Sequence, residues 1–108
     1  MIEFQYFESC PNADESLKNL LSLKEEGFIK EEVKIVKVES LEKAKEINFQ
    51  GSPTILYNEY DIYTLKKPEG FSYNCRVYFI DNFPTRILPK EFIKQRIEKV
   101  REMLNAER

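Results

Sequence analysis

The stretch Ile2-Glu3-Phe4-Gln5-Tyr6-Phe7-Glu8-Ser9-Cys10-Pro11-Asn12-Ala13 decides how the rest of the chain is read. Its first half alternates like a strand, and its Ile, Phe and Tyr content suits a central one. Pro11 fits the first position of a helix, where its missing N–H is one of the donors left unpaired anyway, so the strand is expected to turn directly into a helix. Cys10 then stands at the positive end of that helix, where the macrodipole and the free backbone N–H groups favour an anion and hence the thiolate. Strand, cysteine, proline and helix in this order point to a redox site. The same residues also suit a small buried cysteine at a strand end, and the stretch by itself leaves both readings open.

Working outward, Ala13, Leu17, Leu20, Leu21 and the stem of Lys24 fall on one stripe of a helix expected over Pro11 to Glu26, with Asp14 and Glu15 in the first turn, where acids suit the dipole. Gly27 matches a left-handed C-terminal cap, with Phe28 beyond it for the accompanying apolar contact. Val33 to Val38 is β-branched and mostly alternating, a second strand, and strand-helix-strand over so short a span implies a parallel crossover. Ser40 caps a short helix through Phe49, which must stop before Pro53. Thr54–Tyr57 and Tyr60–Tyr63 flank Asn58-Glu59 as a hairpin, although Glu is a poorer second turn residue than Gly. Thr64 to Asn74 carries turn chemistry and no period, so it is expected as the longest loop. Cys75 to Ile80 reads as another strand, ended by Asp81-Asn82-Phe83-Pro84. From Pro89 to Asn105, Ile93, Ile97, Val100 and Leu104 recur at helical spacing with Phe92 widening the stripe, so a long terminal helix packs on the sheet. The expected fold is α/β, in the order β-α-β-α-β-β-(β)-α, with a mixed four- or five-stranded sheet covered by helices.

Composition narrows the function classes. The 108 residues, 42% apolar, suffice for one core and one domain. With 17 basic and 19 acidic residues the formal charge is −2, and no basic footprint invites nucleic acid. No uncharged apolar run approaches the length of a membrane span, so membrane partners are not expected and a cytoplasmic, soluble protein without a signal peptide is. There is no histidine, which removes Ser-His and Cys-His catalysis and the usual histidine metal sites. Two cysteines are too few for a disulfide scaffold, so pairing between them, if it occurs, is functional.

The element order, with Cys10-Pro11 between the first strand and helix and Ser52-Pro53-Thr54 opening the third strand, resembles the thioredoxin and glutaredoxin superfamily across nearly the whole chain. Phe49-Gln50-Gly51-Ser52-Pro53-Thr54-Ile55 and Cys75-Arg76-Val77-Tyr78 resemble, more narrowly, small thioredoxin-like proteins, some grouped with mercury-resistance proteins. The resemblance implies Cys10 as the catalytic nucleophile, a cis bond at Ser52-Pro53 beside it, and Pro11, Ser52, Pro53 and Thr54 as the groove that binds substrate, with the Ser52 backbone pairing an extended segment. It implies no bound cofactor and no metal, a disulfide-bearing protein or glutathione as partner, and glutathione as candidate co-substrate. The chain departs from the dithiol pattern at Ala13, where a resolving cysteine would stand. Two chemistries remain: release of a mixed disulfide on Cys10 by an outside thiol, or resolution by Cys75 if the chain returns it to the same sheet end. The mixed disulfide is the expected outcome, because nothing near Cys75 in the sequence suggests activation and a small core residue on an edge strand reads the same way. A binding or scaffold module that kept the fold without the chemistry is the alternative, and Cys10 with Cys75 as thiolate ligands for a soft metal such as mercury is another. Tyr6, Tyr57, Tyr60 and Tyr63 are expected in core or rim packing, and Lys66-Lys67 in solvent.

Overall fold

A computed structural model describes residues 1–106. Strand β1 (Ile2–Tyr6) pairs in parallel with β2 (Val33–Lys37) and antiparallel with β4 (Thr54–Tyr57), to which β5 (Tyr60–Asp61) adds antiparallel. The resulting four-stranded mixed sheet runs β2-β1-β4-β5, so the opening stretch is an interior strand as its apolar content requires. Alternation then assigns the faces. Ile2 and Phe4, with their partners Tyr57 and Ile55, turn toward α1 (Ala13–Glu25) and α3 (Lys90–Ala106), where Leu20, Leu23, Ile93, Ile97 and Val100 bury them. Each of these side chains contributes about 1.5–3 kcal/mol on full burial, so this one cluster ties the sheet to both long helices. Val38, Ala44 and Phe49 form a smaller cluster under α2 (Leu41–Ile47), with Phe7 and Tyr73 against it. No helix among the described residues is long and apolar enough to cross a membrane.

The local signals place most boundaries within two residues. Gly27 takes φ +88°, and the N–H groups of Phe28 and Ile29 both return to the Leu23 carbonyl. Ser40 Oγ accepts the Lys43 N–H at 3.1 Å, and α2 ends at Asn48, φ +55°, before Phe49. Asn58 and Glu59 both turn left-handed, which is the hairpin geometry expected of them despite the Glu. β5 is shorter than Tyr60–Tyr63 because the Tyr63 N–H bonds back to Asp61 Oδ1 at 2.8 Å. Helix α1 starts at Ala13 rather than Pro11: residues 10–12 form a separate turn in which the Ala13 N–H donates to the Cys10 carbonyl at 3.4 Å. Pro11 therefore lies ahead of the helix and not at its first position.

The main departure falls between 64 and 80. Cys75 does not begin a strand; it ends β6 (Ser72–Cys75), which pairs in parallel with β3 (Gln50–Ser52). A separate antiparallel hairpin follows, β7 (Tyr78–Ile80) with β8 (Phe83–Thr85). Part of the expected loop is thus strand. Ser72-Tyr73-Asn74-Cys75 has no apolar alternation to announce it, and its pairing rests on backbone bonds and on Tyr73, whose ring meets Phe7 at 5.4 Å and Phe49 at 6.3 Å. Gly51 makes the approach of the two strands possible: at φ +109°, a Cβ there would stand 3.0 Å from Arg76 Cβ and 3.1 Å from the Asn74 carbonyl oxygen. Gly51→Ala is therefore expected to destabilise the fold by roughly 1–3 kcal/mol. Chemical denaturation checks this, with Gly70→Ala as the comparison, since Gly70 also has a positive φ, +68°, but a Cβ there meets nothing within 4 Å beyond its chain neighbours.

Candidate functional site

The site is assembled where the end of β1, the turn into α1, and the β3–β4 junction meet. Ser52-Pro53 is cis. Cys10 is 4% exposed, and its Sγ–H donates to the Ser52 carbonyl at 3.6 Å. The same carbonyl accepts the Arg76 N–H at 2.9 Å, and Ser52 is the register partner of Cys75 across β3 and β6. Cys75 therefore arrives beside Cys10 although 65 positions separate them in sequence (75 minus 10). Burial pushes the Cys75 thiol up, the neighbouring Cys10 pushes it further the same way, and Arg86 pulls against them. Both residues are free thiols. Ala13 is buried in the main core on the helix side.

The residues expected to form a substrate groove are placed differently from one another. Pro11 is exposed, while Ser52, Pro53 and Thr54 are all buried. Their polar atoms have partners inside the chain: Ser52 Oγ accepts the Phe7 N–H at 3.2 Å, the Pro53 carbonyl accepts the Tyr78 hydroxyl, and Thr54 Oγ1 donates to the Gly51 carbonyl. Behind them is a buried ion pair that the sequence reading did not single out. Arg76 and Asp61 meet at 2.8 Å with side chains 10% and 1% exposed, and Arg76 Nη1 also donates to Thr54 Oγ1 at 3.0 Å. The guanidinium lies 4.7 Å from the Tyr78 ring centre and 5.3 Å from that of Tyr63. Burial drives the Tyr78 phenol far above its ordinary range, so it is a permanent donor to Pro53. The available signal was a pair of isolated opposite charges, each inside an apolar segment, at Tyr60-Asp61-Ile62 and Cys75-Arg76-Val77.

Tyr6, Tyr57, Tyr60 and Tyr63 all belong to or pack against the main core, as expected of strand aromatics. Lys66 and Lys67 are exposed. A cleft of about 670 Å³, lined by Glu3, Gln5, Ile47, Leu56 and Lys67 among others, lies on the sheet face away from α1 and α3 and holds neither cysteine. Among the described residues, no group of three or more His, Cys, Asp or Glu side chains stands together to hold a metal ion. No protein family, curated protein or solved structure matches this chain.

Two outcomes follow from the geometry. Asp61→Ala leaves the Arg76 guanidinium buried without its counter-charge and is expected to cost about 3–5 kcal/mol in denaturant unfolding. Because the Cys75 thiol is held up by burial and by Cys10, its alkylation by iodoacetamide should be slow at neutral pH and rise as pH climbs past the ordinary thiol range. A Cys75 rate that is already at its plateau near neutral pH contradicts this placement.

Proposed function

We propose that the chain is a thioredoxin-like redox domain in which Cys10 and Cys75 form a dithiol–disulfide couple that exchanges with a disulfide carried by a protein or by glutathione. The observation that carries this reading is the pairing of Ser52 with Cys75 while the Cys10 thiol donates to the carbonyl of that same Ser52. Support for the thioredoxin-like part comes from β1 flanked by parallel β2 and antiparallel β4, with a cis proline ahead of β4 and a cysteine ahead of α1. In the exchange, one protein thiolate attacks the outside disulfide and expels one thiolate. The second protein thiolate then attacks the mixed disulfide, expels the other, and closes the Cys10–Cys75 bond. The protein loses two electrons, the outside disulfide gains them, and the two thiol protons pass to the leaving thiolates through solvent. Return to the dithiol needs an outside thiol reductant, which a cytoplasmic setting supplies.

In this reading Cys75 supplies the second sulfur that Ala13 cannot, and a one-cysteine route is unnecessary. The soft-metal alternative would use the same two sulfurs as a dithiolate pair, with no third His, Cys, Asp or Glu ligand grouped beside them among the described residues. Intact mass after incubation with oxidised glutathione is the test. The couple predicts loss of two hydrogens and a stabilisation of roughly 4 kcal/mol from closing the long loop, read by denaturation of the oxidised against the reduced protein. One stable added glutathione supports the one-cysteine route instead, and unchanged mass supports the scaffold reading.

A further inference from the structure

The two sulfurs are not equally reachable. Cys10 is 4% exposed, whereas Cys75 is partly exposed and follows the exposed Asn74. What lies across Cys10 is β6. An extended polypeptide that laid its disulfide against Cys10 would have to pair with the backbone at Ser52, the strand-addition mode of recognition. That edge is taken: the Ser72 N–H donates to the Phe49 carbonyl at 2.6 Å and the Arg76 N–H to the Ser52 carbonyl at 2.9 Å. β6 is also anchored at both ends. Tyr73 packs against Phe7 and Phe49, and its hydroxyl donates to the Val38 carbonyl at 3.2 Å, while Arg76 is held by Asp61. The chain's own strand thus sits where a substrate strand would sit, and presents its cysteine there.

Resting on the dithiol couple above, we propose that Cys75, not Cys10, is the sulfur that meets the outside disulfide, because β6 fills the backbone edge beside Cys10 and presents Cys75 there. Exchange requires the attacking thiolate to approach along the axis of the disulfide bond, and the 4% exposure of Cys10 leaves little room for that approach. The Cys75 thiolate attacks a sulfur of the outside disulfide, forming the mixed bond and releasing one outside thiolate. Cys10, already against Cys75, then displaces the second outside thiolate and closes the internal bond. Two electrons pass from the protein to the outside disulfide. Ionisation opposes this order, since burial and Cys10 hold the Cys75 thiol up, with Arg86 in the other direction. Access decides it, because Cys75 is partly exposed while Cys10 is only 4% exposed.

The experiment uses oxidised glutathione as the probe and three proteins: the unaltered chain, Cys10→Ser and Cys75→Ser. The expected result is that Cys10→Ser takes up one glutathione at Cys75 at least about tenfold faster than Cys75→Ser takes it up at Cys10. Adding Tyr73→Ala to Cys75→Ser, which loosens β6, should raise the Cys10 rate several-fold. Equal rates in the two single variants, a faster Cys75→Ser, or no response to Tyr73→Ala each overturn the proposal. Failure of the couple itself is separate: in that case the unaltered chain does not lose two hydrogens, whatever the single variants do.

Discussion

The carbonyl of Ser52 receives two donors, the backbone N–H of Arg76 and the thiol of Cys10, and this shared acceptor is the constraint on which the site depends. It fixes the register of β6 on β3 and sets Cys75 opposite Ser52, next to the sulfur bonded to the same atom. Its energy is modest, since a neutral hydrogen bond nets about 1 kcal/mol. What holds the arrangement is what surrounds it: a glycine at position 51 that admits the neighbouring strand, and an ion pair behind it whose disruption costs several times more. The carbonyl sets position, and the buried charges supply the hold.

That ion pair has its own logic. Burying Asp61 and Arg76 is costly unless they are bonded, and here the carboxylate accepts from Arg76 and from the Tyr63 N–H, while Arg76 Nη1 donates to both Asp61 and Thr54 and the guanidinium lies between two tyrosine rings. Each partner comes from a different part of the chain, β4, β5 and the segment after β6.

How much of this was legible varies with the range of the interaction. Helix α3 was plain, because Ile93, Ile97 and Val100 repeat with the helical period and all three are buried on the sheet. The same holds for the central strand, the Gly27 cap and the Asn58-Glu59 turn, each of which depends on a few adjacent residues. Strand β6 was not legible, since Ser72-Tyr73-Asn74-Cys75 has no period and exists only by pairing with residues more than 20 positions earlier. Cys10, Cys75, Ser52 and Pro53 were identifiable as candidates by residue type and position. That Ser52, Pro53 and Thr54 are buried and bonded within the chain, and that Cys75 stands against Cys10, follows from the Gly51 approach and the Arg76–Asp61 pair, which no local pattern encodes.

The most direct test of the account is the Cβ carbon shift of each cysteine, measured by NMR in the reduced protein and across a graded oxidation. Adjacent sulfurs predict that the Cys10 and Cys75 resonances move from the thiol to the disulfide range together, in one transition with a single midpoint. Movement of one without the other, or two transitions at different midpoints, contradicts it.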